Sequence, residues 1–278
     1  MAQPLRLDHE RHHLVAIRAT GTRSPLWLMP GAGGNVLCFH TLSSRIRPDR
    51  PVLALQARGI DGDKRPHASI EAMAAAYLHE MRQTGWTGPW FLAGYSGGGT
   101  TAFEIARRLL ALGEEVPMVV VLDGFSPHVR WNGALRRGWA HLKKFRTHGP
   151  SFAHYFLQHV MTRRRKLARR ERLVAARRVL PPKMRAFDLA ESFATAFRQY
   201  RCVRLDTQIV LYRATHQADV LFKPTREQGW GECSSRPIDV VHLEGDHTSI
   251  CSSPGLAELD QRMATIETGL GRPSFGVR

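Results

Sequence analysis

A serine, an acid and a histidine occur in this chain in the order and settings that turn an unreactive hydroxyl into a nucleophile. Ser96 lies in Gly94-Tyr95-Ser96-Gly97-Gly98, a G-x-S-x-G match. Strand-like Trp90-Phe91-Leu92-Ala93 precedes it, and a helical pattern from about Thr100 to Leu112 follows, with Phe103, Ile105, Ala106, Leu109 and Leu110 on one side. A sharp strand-to-helix turn crowds the backbone around the serine, so it needs small neighbours, and Gly94 and Gly98 supply them. The turn lifts the hydroxyl to the helix N-terminus, where the dipole favours developing negative charge. Glycines after a strand also make plain turns or phosphate cradles; the strand–serine–helix context favours the nucleophile.

Serine at neutral pH needs a general base, and the base needs an orienting acid. Asp123 ends the apolar run Met118–Leu122, and His247 follows the run Ile238–Leu243 in Glu244-Gly245-Asp246-His247-Thr248. Both positions are carboxyl ends of expected strands, the side on which Ser96 also stands. Among 14 histidines, His40 and His242 are rivals, the first just past a glycine turn and the second inside the strand. Asp219, beyond the strand that ends near Tyr212, competes with Asp123 for the acid's place. An oxyanion needs two donors. The backbone N–H of Gly97 is one; Ala32, in Pro30-Gly31-Ala32-Gly33-Gly34, supplies the other.

The positioning elements follow from the patterning. Short apolar runs at Leu26–Met29, Val52–Leu55, Trp90–Ala93, Met118–Leu122, Gln208–Tyr212 and Ile238–Leu243 alternate with helical stretches at Ser69–Met81, Thr100–Leu112 and Leu256–Ile266. That alternation predicts a mostly parallel central sheet flanked by helices, and with the serine turn it predicts the α/β-hydrolase fold. From about 126 to 201 the alternation stops. Met184, Phe187, Ala190, Phe193, Phe197 and Tyr200 recur at helical spacing there, which predicts a helical lid inserted into a single domain spanning 1–278.

Composition narrows the classes. With 43% hydrophobic residues, 24 Gly and 16 Pro in 278 residues, the chain has the makeup of a globular protein. No run reaches the ~20 apolar residues of a membrane span, and the polar first residues hold no signal-peptide core. Cys38, Cys202, Cys233 and Cys251 are scattered without a CxxC pair, which predicts reduced thiols in the cytoplasm. No metal or organic cofactor is expected, because no His/Cys/Asp/Glu set has ligand spacing along the chain. The formal charge of +16 is concentrated: fifteen Lys and Arg stand between Arg130 and Arg178 against one acid, Glu171. Such a segment suits an acidic protein partner, a nucleic acid or anionic membrane surface, or simply a solvated helix face.

These residues resemble the thioesterase domains of nonribosomal peptide synthetases and polyketide synthases. The resemblance is carried by Leu28-Met29-Pro30-Gly31-Ala32-Gly33-Gly34, Leu55-Gln56-Ala57-Arg58-Gly59-Ile60-Asp61-Gly62, Gly94-Tyr95-Ser96-Gly97-Gly98-Gly99, Val121-Leu122-Asp123, Gly229-Trp230 and Gly245-Asp246-His247. An acid at Asp123 and a tyrosine before the serine resemble the terminal, product-releasing class more than the stand-alone editing class. The resemblance implies that Ser96 takes an acyl or peptidyl chain from the phosphopantetheine thioester of a carrier protein acting in trans. The chain would then be released by hydrolysis or cyclisation, with residues 130–178 of the lid as a candidate carrier contact and nucleic acid an unlikely partner. A transacylase, a hydrolase of coenzyme A thioesters or esters, and a non-catalytic polyanion-binding scaffold are the competing readings.

Overall fold

The computed structural model describes residues 5, 13–62, 64–128, 150–176, 178–216 and 225–270, with backbone alone for 150–160. Six parallel strands form most of one sheet: β2 (Leu26–Met29), β3 (Val52–Leu55), β4 (Phe91–Tyr95), β5 (Met118–Leu122), β6 (Gln208–His216) and β7 (Asp239–Asp246). A seventh, β1 (Leu14–Arg18), pairs antiparallel with β3, and the sheet order is β1-β3-β2-β4-β5-β6-β7.

The unbroken apolar runs are explained by burial on both faces. In β2, Trp27 and Met29 pack on one side with Tyr77, Phe103 and Leu109, while Leu26 and Leu28 pack on the other with Phe39, Leu259 and Met263. The first side is covered by α2 (Ile70–Gln83) and α3 (Gly98–Ala111), the second by α1 (Cys38–Ser43) and α6 (Ala257–Gly269). Ser69 caps α2, its Oγ accepting from the Ala72 amide at 3.1 Å, as Ser/Thr caps do.

Two elements escaped the sequence reading. β1 is a half-buried edge strand behind a polar stretch, so its apolar signal is weak; the Glu80 carboxylate fastens it by accepting from the amides of His13 and Leu14. α1 is only six residues long.

Between β5 and β6 stand α4 (Pro150–Ala175) and α5 (Pro182–Gln199); residues 129–149 of the expected lid lie outside the described residues, as does Asp219. The helical stripe is real: Met184, Phe193 and Tyr200 are buried, and Leu189 and Ala196 join them, whereas Phe187 and Phe197 are half-buried. Arg163 and Arg170 of α4 pair with Glu191 and Asp188 of α5. At its end, Tyr200 donates to the buried Glu104 carboxylate of α3 at 2.9 Å. Burial pushes Glu104 up, but hydrogen bonds from Arg107, Tyr200 and Arg108 outweigh it and hold the carboxyl below its usual range.

The expectation of four reduced thiols is corrected for one pair. Cys202 and Cys233, 31 residues apart, form a disulfide with Cα atoms 6.1 Å apart. Their spacing gives no sign of it, because only folding brings the segment after α5 against the turn at Trp230–Glu232. His128 lies beside them, so the fold also gathers three metal-type side chains that are remote in sequence. Cys38 and Cys251 are free. Among the described residues no helix is long and apolar enough to cross a membrane.

Candidate active site

Strands β4 and β5 are in register, Tyr95 beside Leu122, so the residues that leave them, Ser96 and Asp123, emerge side by side. Both turn with a left-handed backbone, φ 54° at Ser96 and 50° at Asp123. The Ser96 amide donates to the Leu122 carbonyl at 2.8 Å, and the Asp123 amide to the Tyr212 carbonyl at 2.7 Å. The sheet therefore fixes both residues through their own main chains. Crowding at the elbow is as expected: a Cβ on Gly94 would lie 2.2 Å from the Gly98 backbone.

His247 arrives from the end of β7. Its Nδ1 lies 2.8 Å from Asp123 Oδ2, and its Nε2 lies 3.0 Å from Ser96 Oγ. An ionised carboxylate only accepts, so Nδ1 donates to Asp123; in the neutral ring Nε2 is then free to accept from the Ser96 hydroxyl. The second carboxylate oxygen, Oδ1, accepts from the Ala214 amide at 3.0 Å. Asp123 is buried, at 2% exposure, while the His247 side chain is 45% exposed. A buried carboxylate thus lies behind a half-exposed imidazole.

The loop carrying His247 is shaped by its neighbour. Asp246 Oδ1 accepts from the amides of Thr248 and Ser249, each at 2.9 Å, and from both hydroxyls. Hydrogen bonds from Thr248 and Ser249 hold the Asp246 carboxyl down at about 2. His40 is exposed on α1 and His242 is exposed within β7; neither is hydrogen-bonded to Ser96.

Gly97 follows Ser96 directly, and Ala32 lies one residue beyond Gly31 in the loop 30–34. A Cβ on Gly31 would lie 3.2 Å from Ser96 Cβ, so the loop 30–34 closes directly over the serine. The amides of Ala32 and Gly97 donate to no other described residue. The sequence did not single out Phe193 as a site residue: α5 lays it over Gly97, where an added Cβ would meet its ring at 2.3 Å. With Leu189, Phe193 walls a narrow cleft under the loop 30–34 whose floor includes Tyr77 and His67. The only sign available in the sequence was its place in the lid's apolar stripe.

A hydroxyl bonded to an imidazole, itself bonded to a buried carboxylate, can open an ester or thioester by acyl transfer. The nonribosomal peptide synthetase btyA of Aspergillus terreus is 41% identical over 115 residues, which is 41% of this chain and 12% of that protein. A four-domain nonribosomal peptide synthetase, AB3403, superposes with a TM-score of 0.68 at 25% identity, covering 96% of this chain and 21% of that one. The type II thioesterase BorB from the borrelidin biosynthetic cluster has a TM-score of 0.62 at 22% identity, covering 95% of this chain and 100% of that one. The thioesterase domain model itself matches residues 24–263. The chain accordingly belongs to the thioesterase domain family, enzymes of the α/β-hydrolase fold.

Proposed function

We propose that Ser96 is the nucleophile of a thioesterase acting in natural-product biosynthesis on an acyl or peptidyl chain borne by the phosphopantetheine arm of a carrier protein in trans. The observation that carries this reading is the continuous Ser96–His247–Asp123 hydrogen-bonded chain. Ser96 Oγ attacks the thioester carbonyl as its proton passes to His247 Nε2. Asp123 holds Nδ1–H and stabilises the imidazolium. The tetrahedral oxyanion points to the amides of Ala32 and Gly97, each such donor contributing roughly 3 kcal/mol. Collapse expels the pantetheine thiolate, which takes the proton from His247, and leaves an ester on Ser96. Water or a nucleophile within the acyl chain, deprotonated by His247, then releases the product by hydrolysis or cyclisation. The placement of the acid at the end of β5 supports the product-releasing class. No metal or organic cofactor takes part in these steps.

The lid supports a carrier as partner. On α4, Arg163, Lys166 and Arg170 face α5, meeting Glu191, the Phe187 ring and Asp188. Arg164, Arg165, Arg169 and Arg172 are exposed, a basic ridge suited to steering an acidic carrier. Incubation with an acyl-pantetheine thioester and intact-mass analysis tests the reading: an acyl adduct on the parent, lost in Ser96→Ala, is expected. Absence of both adduct and thiol release would overturn it.

A further inference from the structure

Tyr95, the residue before the nucleophile, reaches the base as well. Its ring lies against the His247 imidazole, centroids 5.1 Å apart and planes inclined by 26°. Its hydroxyl donates to the His247 carbonyl at 2.9 Å. A single side chain thus grips both the ring and the main chain of the residue that bonds Ser96.

We propose that Tyr95 is a positioning residue for His247, holding the imidazole over Ser96 and stabilising the imidazolium that forms when the serine gives up its proton. This deepens the acyl-enzyme reading above and rests on it. The need for such a residue follows from the geometry. The hydrogen bonds to Asp123 and Ser96 are made at the ring's edge, and the turn centred on Asp246 fixes only the loop's backbone and hydroxyls. Neither commits the faces of a ring whose side chain is 45% exposed. Tyr95 occupies one face. An aromatic face also favours a cation over a neutral ring, here by a factor of about two to five. Burial, with Cys251, Cys38, Asp123 and Asp246 nearby, pushes the phenol up to about 12, so it stays a donor throughout the working range.

The ring's place is set by the sheet. Tyr95 closes β4 beside Leu122, so one rung of the sheet carries the residues preceding both the nucleophile and the acid. The ring also backs the turn over the serine, since a Cβ on Gly31 would lie 3.3 Å from its Cδ1.

Two variants separate the two contacts. Tyr95→Phe keeps the stacked ring and loses the bond to the carbonyl; Tyr95→Leu loses both. The readouts are the pH dependence of Ser96 labelling by a fluorophosphonate, the pH dependence of kcat/KM on an acyl-pantetheine thioester, and the thermal midpoint. For Tyr95→Leu the acidic limb of both profiles, on which the imidazole gives up its proton, is expected to move down by about half a pH unit, with a rate loss on the order of tenfold at pH 7. For Tyr95→Phe the limb is expected to stay in place while the rate falls less. An unmoved limb in Tyr95→Leu, whatever the change in rate or midpoint, reduces Tyr95 to a packing residue and overturns the proposal. Failure of the parent itself to be labelled at Ser96 would instead overturn the acyl-enzyme reading beneath it.

Discussion

Gly97 carries one of the two amides assigned to the oxyanion, and α5 lays Phe193 over it, which makes Gly97→Ala an informative perturbation. The backbone does not demand glycine there: φ −58° and ψ −23° suit any residue. Space does. The new methyl carbon would lie 2.3 Å from Phe193 Cε1 and 2.5 Å from Cζ, whereas carbon contacts settle near ~3.5–4.0 Å. Phe193 is 8% exposed and stacks on Phe197 with centroids 6.2 Å apart, so swinging the ring away disturbs that packing. Overpacking of this kind costs about 1–3 kcal/mol. If the turn at Ser96 yields instead of α5, the Gly97 amide leaves the place assigned to it at the oxyanion, a loss of about 10²-fold or more in kcat. We expect Gly97→Ala to lose about 10²-fold in kcat/KM. Adding Phe193→Ala should restore most of that, although Phe193→Ala alone costs about 3 kcal/mol of stability. The assay is thiol release from an acyl-pantetheine thioester for all four proteins, with urea unfolding alongside. A coupling of about 1–3 kcal/mol between the two sites is expected. Strict additivity, or a fully active Gly97→Ala, would refute the claim that Phe193 stands on the oxyanion amide.

Asp123→Asn should preserve the fold but lower kcat by on the order of 10⁴, because an amide in that place favours the wrong imidazole tautomer; a rate within tenfold of the parent would remove Asp123 from the role assigned to it. Arg50, fully buried, donates to Asp260, Glu267 and the Ser24 carbonyl. Its loss in Arg50→Ala strands two buried carboxylates, and since Arg47 and Arg23 still reach them, urea unfolding should show a cost of about 3 kcal/mol, the lower end for a broken buried pair. Burial, then the charges of His13 and Arg58, push His67 down to about 4. The folded protein therefore resists protonating it, so stability should fall as pH drops from about 6.5 towards 4 and level off below; a His67→Gln variant with the same pH slope as the parent over that window would contradict this.

The central strands were legible because burial on both faces leaves only apolar residues in β2, β3 and β5, and their limits were found to the residue. Ends that carry function were less so: β6 runs on to His216 and β7 to Asp246, since polar residues at a strand's carboxyl end pair in the ladder yet look like loop. Ser96 and His247 were legible from context, the one by its glycines and the other by its place after the last strand. Pattern leaves Asp123 and Asp219 both open, because both follow strands; the structure puts Asp123 in hydrogen-bond contact with His247 Nδ1, and Asp219 lies outside the described residues. Contacts between segments distant in sequence stayed hidden. The Cys202–Cys233 pair, Phe193 over Gly97 and Tyr95 on His247 each depend on how the layers come together, and no local periodicity encodes that.

The two residues with left-handed backbones at the heart of the site are also where local preference and global fold conflict. Glycine is the ordinary choice at φ near +50°, and a serine or aspartate there costs energy, up to a few kcal/mol at such strained positions. The sheet supplies it through the paired amides of Ser96 and Asp123, and the glycines are moved one step aside. Gly124 shows why: a Cβ there would lie 2.2 Å from the Ser96 carbonyl oxygen and 2.9 Å from Val121 Cγ1, so the two turns can nest only if that position is bare. Glycine thus appears beside Ser96 and Asp123 rather than at them, because the side chains at these positions bond His247. The same left-handed backbone occurs at Gln228, φ 47°; what sets 96 and 123 apart is that both side chains hydrogen-bond the one imidazole of His247.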